Sequence, residues 1–328
     1  MAQGGLTLVT PVAAIPTVGA TISASGTLSF YNRGDGKFYR MNPDGTLSEL
    51  SNKTFFDVQT ATFDRAGNKA ILEFPDGSNI LANFATGTQV TLPKHWEDFD
   101  FSAAGDKIAA KSIGIDPQNR FLVVANPDGS GARAVQELGT NADRVQVKFS
   151  PNNQIVGTAE TGDFTGPDSR EVFLIGQNNE NFKSIVVQGF DFRNQYSPGG
   201  DSMLYSVAGS DSSYKPQLWI VDSSGDNIGK NRRSIPVETW ADKCAFTGNS
   251  TVICAVPQQL EDGAGLQPEV ADTTTDDLVR IDLDTGLQTK IATPEGGHTI
   301  DKVIPTPDGS AIFFTDKGSG TINKIQLK

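Results

Sequence analysis

An all-β fold, a seven-bladed β-propeller of four-stranded antiparallel blades, is what this sequence predicts. Three observations lead there: a four-strand unit that recurs seven times, inner strands that are apolar on both faces, and a last unit that is one strand short. A sheet with two apolar faces cannot stand alone, and stacking such sheets around an axis buries both.

The first half of the unit is an aromatic residue in most copies, a turn of about four residues and an apolar strand. Copies are "ATISASGTLSFYN" near Ile22, "ATFDRAGNKAILEF" at Phe63, "FDFSAAGDKIAAKSI" at Phe101, "VKFSPNNQIVGTA" at Phe149, "QYSPGGDSMLYSV" at Tyr196, "CAFTGNSTVICAV" at Phe246 and "IPTPDGSAIFFTD" at Thr306. The second half is a strand, a turn and a further strand, as in "KFYRMNPDGTLSEL" and "LVRIDLDTGLQTKI". Its turn residues are Gly45, Gly87, Gly129, Asn179, Gly225 and Gly286, spaced by 42 to 50 residues and finally by 61. Gly and Asn suit these turns because they tolerate positive φ.

The unit therefore reads as strands a, b, c and d. The spacing predicts one domain over 1–328, with blades at 17–50, 57–93, 96–139, 143–188, 191–237, 241–293 and 300–328. The last blade has strands at 301–306, 311–316 and 321–327 and no fourth. "LTLVT", Leu6–Thr10, is claimed by no other blade and is expected to complete it, closing the ring.

Two stretches, 195–226 ("QYSPGGDSMLYSV…LWIVDSSGD") and 304–316 ("IPTPDGSAIFFTD"), resemble the repeat of TolB-type, WD-like propellers. The other blades depart from its Ser-Pro-Asp-Gly turn, with "DRAG", "SAAG", "SPNN" and "TGNS" in its place. The resemblance implies a propeller that binds a partner in the cell envelope, and no particular reaction.

Composition excludes some classes. The formal charge is −12 and the pI about 4.6, so the surface repels phosphate backbones and anionic lipid; no nucleic-acid partner is expected. No run of roughly 18 apolar residues occurs, and membrane insertion is not expected. The N-terminus lacks the basic start and apolar core of a signal peptide, which suits either a cytoplasmic chain or a mature exported one. A periplasmic, secreted or cell-surface monomer is the expectation, with the cytoplasm left open.

Candidate functional residues gather on the side of the d–a and b–c connections. Several b–c loops there are long, at 114–119, 160–169, 209–215 and 257–276, and long loops in a compact domain are commonly functional. His95 and Trp96, Trp240, and His298 fall in d–a connections, whereas Asp163, Tyr214, Glu261 and Asp262 fall in b–c loops. These eight are the expected binding residues; Trp96 and Trp240 read equally as packing that caps the blades, and Trp219 reads as core. An acidic residue also opens strand a repeatedly: Asp57, Asp98, Asp143, Asp191, Asp242 and Asp301. A ring of these carboxylates would suit Ca²⁺, and the plainer reading is that each caps its own turn; no resident cofactor is otherwise expected.

Cys244 and Cys254 flank the turn "TGNS" and face each other if Phe246 faces Val252, so a cross-strand disulfide or two buried thiols are both consistent. No G-x-S-x-G, H-E-x-x-H or paired C-x-x-C motif occurs, so no catalytic residue is assigned. The sequence thus favours a non-catalytic module that presents its long-loop face to a protein or glycan. The alternative is a hydrolase or lyase acting on a small anionic or sugar-like substrate. Such an enzyme would use His95 or His298 with Asp98 or Asp301, in the manner of lactonase- and lyase-type propellers.

Overall fold

The computed structural model describes residues 2–13 and 15–328. The fold is an all-β, seven-bladed propeller of four-stranded antiparallel blades. It divides into two compact units.

The first unit, Ile15–Thr161 with Phe173–Phe182, holds blades 1 to 3 and the inner part of blade 4. Blade 1 has strands Thr17–Ile22, Leu28–Asn32, Lys37–Met41 and Leu47–Glu49. Blade 2 has Thr60–Phe63, Lys69–Glu73, Asn79–Asn83 and Thr88–Leu92. Blade 3 has Trp96–Phe101, Ile108–Ile113, Arg120–Ala125 and Arg133–Glu137. In blade 4, Val145–Val147 and Ile155–Ala159 pair in turn, and the latter pairs with the end of Ser169–Gly176.

The core lies between successive blades because side chains alternate along a strand. In blade 3, Ile108 and Ala110 pack toward blade 2 with Ile71, Leu81 and Trp96. Ala109, between them, packs the other way with Val145, Val156 and Ile175. A strand that feeds two interfaces must be apolar throughout, which is the pattern seen in the sequence. Close blade contact also dictates some backbone: Gly19 has φ +61°, and a Cβ there would lie 1.9 Å from the Ala61 carbonyl oxygen.

The second unit holds Gly162–Val172, Lys183–Lys328 and the N-terminal segment. It contains the outer strand of blade 4, Ile185–Gln188, and blades 5 to 7. Blade 5 has Phe190–Tyr196, Ser202–Ala208, Pro216–Asp222 and Arg233–Glu238. Blade 6 has Cys244–Phe246, Thr251–Pro257, Asp276–Asp282 and Gln288–Pro294. Blade 7 has Ile300–Pro305, Ala311–Asp316 and Ile322–Gln326. Strand b of blade 6 shows the same alternation: Val252 and Cys254 pack with Leu218 and Ile235 of blade 5, and Ile253 and Ala255 with Ile312 and Phe314 of blade 7.

The N-terminus completes the last blade, with a correction to its register. Thr10–Pro11, not Leu6–Thr10, pairs antiparallel with Asn323–Lys324 as the missing strand d. Leu6–Thr7 instead pairs parallel with Thr293–Pro294, adding a fifth strand to blade 6. The pairing runs on through the Val12 amide, which donates to the Ile322 carbonyl at 2.9 Å. Pro11, which has no N–H, is tolerated there because this is an edge strand.

Cys244 and Cys254 face one another in register, as do Phe246 and Val252, and the two sulfurs are bonded. Both cysteines are buried. No helix among the described residues is long and apolar enough to cross a membrane.

Candidate binding face

The longest b–c loop of the second unit, residues 258–275, is a strap held at several points. Its neck is closed by the Gln258 amide donating to the Thr275 carbonyl and by Thr275 Oγ1 donating to Gln258 Oε1 at 2.9 Å. Its near half lies on the b–c loop of blade 5: the Gly263 and Gly265 amides donate to the Ser213 and Tyr214 carbonyls, both at 2.8 Å. A Cβ on Gly265 would lie 2.4 Å from the Ala208 Cβ, so only glycine allows this approach. The far half turns through Pro268–Ala271 and is tied to blade 7 by the Asp272–Lys317 ion pair and by Thr299 Oγ1 donating to Thr274 O at 2.8 Å.

The receiving residues are held in an uncommon conformation. Ser213 and Tyr214 have φ of 54° and 57°, in the left-handed region that costs a residue with a Cβ roughly 1–2 kcal/mol. That conformation presents both carbonyls to the strap, and the two hydrogen bonds offset the strain. Backbone strain of this kind is retained where the surrounding structure over-determines it. Ala264 and Ala271 are buried, while Leu266 and Val270 are half exposed.

Two concavities flank the strap. A groove of about 650 Å³ is lined by Gln258, Gln259, Leu260, Glu261, Val270, Ala271 and Thr273 to Thr275. This size falls within the range of small-ligand and side-chain pockets. A narrow slot of about 40 Å³, room for a few waters, is lined by Arg193, Trp240, Asp242, Lys243, Asp272, Asp301 and Lys317 among others. Ala271 borders both.

Apart from Asp301, the charges that line the slot have partners. Arg193 Nη1 reaches Asp242 Oδ2 at 2.8 Å and Arg193 Nη2 reaches Asp191 Oδ2 at 3.0 Å. The Trp240 indole N–H donates to Asp191 Oδ2 at 3.0 Å, with the Arg193 guanidinium 5.5 Å above its ring. Lys243 Nζ sits 2.7 and 2.8 Å from the two oxygens of Asp276, whose side chain is wholly buried. Asp276 Oδ2 also accepts the Ile300 amide at 2.6 Å. Burial pushes the Asp276 carboxyl above the usual carboxylate range, and Lys243 pulls it back.

Glu261 lines the groove, and Asp262 is exposed with Oδ1 3.6 Å from Lys215 Nζ. Tyr214 carries the strap, and its hydroxyl lies 3.4 Å from Asp168 Oδ2. Asp163 is exposed on the b–c loop of blade 4. Trp240 is 3% exposed and hydrogen-bonded through its indole N–H. Trp219 is half buried and stacked on Tyr205 at 6.2 Å. His298 does not pair with Asp301. Its Nδ1 lies 2.8 Å from Asp316 Oδ2, and its ring stands edge-on to Phe314. Asp316 also accepts from the Ser319 amide and hydroxyl, both at 2.7 Å; burial opposes ionisation, but these bonds and His298 hold its carboxyl below the usual range.

His95 and Trp96 belong to the first unit. His95 is exposed, and Trp96 is 6% exposed and packed on Phe99. The acidic residues that open strand a owe their recurrence partly to backbone. Asp57, Asp98 and Asp191 have φ of 60°, 54° and 53°, the same left-handed kink that Gly19 makes in blade 1. Asp and Asn are the side chains that best tolerate it after Gly. Asp143 and Asp242 occupy the middle of short 3₁₀ turns, Ala142–Arg144 and Ala241–Lys243. Asp301 is exposed at a break in register. Asp98 is engaged by Lys111 at 2.6 Å. Among the described residues, no group of three or more His, Cys, Asp or Glu gathers where it could hold a metal ion.

Sequence reasoning passed over Arg193, Lys243, Asp272, Asp276 and Lys317. A signal was present: "ADR" at 142–144 and "ADK" at 241–243 repeat an acid followed by a cation, and only the acid was counted.

Glu73, at the end of strand b in blade 2, gives the first unit a pH dependence. Burial, against the amide of Asp98 that it accepts at 3.2 Å, pushes its carboxyl up to about 7, and the charges of Asp98 and Glu97 add to this. A folded value above the unfolded one means the ionised group costs stability above about pH 7, a cost that vanishes below the unfolded value. Glu73→Gln is therefore expected to stabilise by about 1 kcal/mol near pH 8.5, the figure allowing for partial solvation, and to be neutral near pH 4.5. Urea unfolding at the two pH values checks this; an equal effect at both would contradict it.

No protein-family model matches the chain, and no curated protein sequence matches it. Solved structures do. An oligogalacturonate lyase in complex with manganese aligns with TM-score 0.66 and 13% identity, over 98% of this chain and 93% of that one. The oligogalacturonate lyase of Vibrio parahaemolyticus aligns with TM-score 0.66 and 11% identity over the same shares. The Cps50 (Swd1) β-propeller domain of Myceliophteria thermophila aligns with TM-score 0.63 and 8% identity, over 98% of this chain and 100% of that one. At these identities the likeness establishes the propeller fold, which enzymes and scaffolds share.

Proposed function

We propose that this chain is a non-catalytic binding module that presents the strap face of its second unit to a protein partner outside the cytoplasm. The observation that carries this reading is the strap itself. A loop of this length is fixed to three blades and frames a groove whose walls are amides, hydroxyls, aliphatic groups and one carboxylate. Such a lining suits hydrogen bonding and apolar contact. Pre-organisation of this kind lowers the ordering cost of binding. The Cys244–Cys254 disulfide supports an oxidising compartment, and the TolB-like repeat at 195–226 and 304–316 supports the cell envelope.

A second reading, a lyase or hydrolase, is favoured by the His298–Asp316 pair, which fixes the imidazole and leaves Nε2 as the nitrogen for acid–base work. It is also favoured by the likeness to oligogalacturonate lyases. One experiment separates the two. The full chain and a variant with Glu261–Thr273 replaced by a short Gly-Ser turn are used as baits in native extract, and both are assayed for cleavage of oligogalacturonate. The variant is expected to stay folded, since no strand is removed, at a cost of about 2–3 kcal/mol for the lost hydrogen bonds and ion pair. A protein captured by the full chain alone supports the module. Cleavage by the full chain that is abolished by His298→Ala would replace it with the enzyme.

A further inference from the structure

We infer that the groove beneath the strap docks a basic segment of a partner protein, with an apolar side chain seated on Leu260 and Val270 and flanking lysines or arginines facing Glu261 and Glu269. The inference rests on the binding-module reading and goes further by assigning the partner's chemistry. From Gln258 to Asp277 the chain has six acids, Glu261, Asp262, Glu269, Asp272, Asp276 and Asp277, and no Lys, Arg or His. Three are neutralised within the unit: Asp272 by Lys317, Asp276 by Lys243 and Asp277 by Lys290. Asp262 has only the distant Lys215, at 3.6 Å. Glu261 and Glu269 are exposed, one lining the groove and the other next to Val270.

The apolar half of the surface lies on the same strap. Leu266 and Val270 are 49% and 50% exposed, although Ala264 and Ala271 beside them are buried. The fold thus had inward positions available on this loop and filled them with alanine, leaving the larger side chains outside. Leu260 and Val270 in the groove wall, with Glu261 in the same lining and Glu269 next in the chain to Val270, suit an apolar anchor flanked by cations. The net charge of −12 works in the same direction at long range, drawing in a basic partner and repelling both an anionic glycan and a second copy of this chain.

The test uses the full chain and three short labelled peptides of equal length. One alternates lysine with leucine, one alternates glutamate with leucine, and one carries lysine among serine and glycine only. Binding is read by fluorescence anisotropy at low and physiological salt. The Lys/Leu peptide is expected to bind about tenfold more tightly than either of the others and to weaken with salt. Glu261→Gln/Glu269→Gln and, separately, Val270→Ser are each expected to weaken it about fivefold. Asp226→Asn/Asp284→Asn, which removes the same charge from the c–d turns, is expected to leave it unchanged. Equal loss in that control pair would show general charge attraction and overturn the inference, as would the absence of Lys/Leu binding at millimolar peptide. Tighter binding of the Glu/Leu peptide, lost on replacing Glu261–Thr273, would overturn the assigned chemistry while leaving the binding module standing. Oligogalacturonate cleavage dependent on His298 would remove the module itself.

Discussion

Removal of residues 1–11 is expected to cost the second unit on the order of 5 kcal/mol, a large share of the stability of an ordinary domain. Several small terms add up to that figure. The Gly4 amide donates to the Ile291 carbonyl, and the Thr293 and Glu295 amides donate to the Gly5 and Thr7 carbonyls, at 2.9 to 3.0 Å. The ladder of Thr10–Pro11 with Asn323–Lys324 is lost as well. At about 1 kcal/mol net per bond these account for most of the loss, and the packing of Ala2 and Val9 on the blade 6–7 core supplies the rest. The truncated chain would also expose the edge of Ile322–Gln326, an unpaired strand of the kind that templates aggregation. Denaturant unfolding should show a lower midpoint, and sedimentation should show larger species. Removing only residues 1–5 should cost about 2 kcal/mol, because it spares Thr10–Pro11 and breaks the Gly4 and Gly5 bonds. If the 1–11 truncation unfolds at the same midpoint as the full chain, the N-terminal segment contributes no closure.

The contrast between these two truncations also shows where sequence reading stops. The need for a closing strand was legible, because the last blade offers three strands and each interior blade four. Which residues close it was not, because apolar character favours "LTLVT" and the decision is made by backbone pairing, which runs from Thr10 to Val12. The strands themselves were legible for a clear reason. Residues such as Ala109 and Ile253 must be apolar when both faces of their strand meet another sheet. The acidic positions were visible but ambiguous, since an Asp chosen for a left-handed kink, as at Asp57, looks the same as an Asp chosen for a ligand. The length of the strap was plain in the spacing of the turns. Its anchoring was not, because it depends on two carbonyls turned outward at Ser213 and Tyr214, a backbone feature that side-chain identity does not encode. Lys243 and Asp276 are 33 residues apart, and no local pattern links them.

That last pair carries the other large expectation. Lys243→Met is expected to destabilise by about 3–5 kcal/mol near neutral pH, because it strands a carboxylate with no exposed surface and no counter-ion. The loss should depend on pH with a definite sign. Burial already raises the Asp276 carboxyl, and removing Lys243 removes the main opposing influence, so its folded value moves further above the unfolded one. The deficit is then full at high pH and shrinks as pH falls through the folded value, because the protonated acid needs no cation. Lys243→Met/Asp276→Asn should recover most of the loss at neutral pH, since the amide oxygen of Asn still accepts from Ile300 and carries no charge. A double variant no better than the single one would show that the damage comes from lost packing against Trp240, 5.9 Å from the ammonium, and not from the unpaired acid. The same pair ties the Ala241–Lys243 turn to the strand that ends the strap and to the first residue of blade 7. The single variant should therefore weaken partner capture at low temperature, where it remains folded, by loosening the groove that the strap frames.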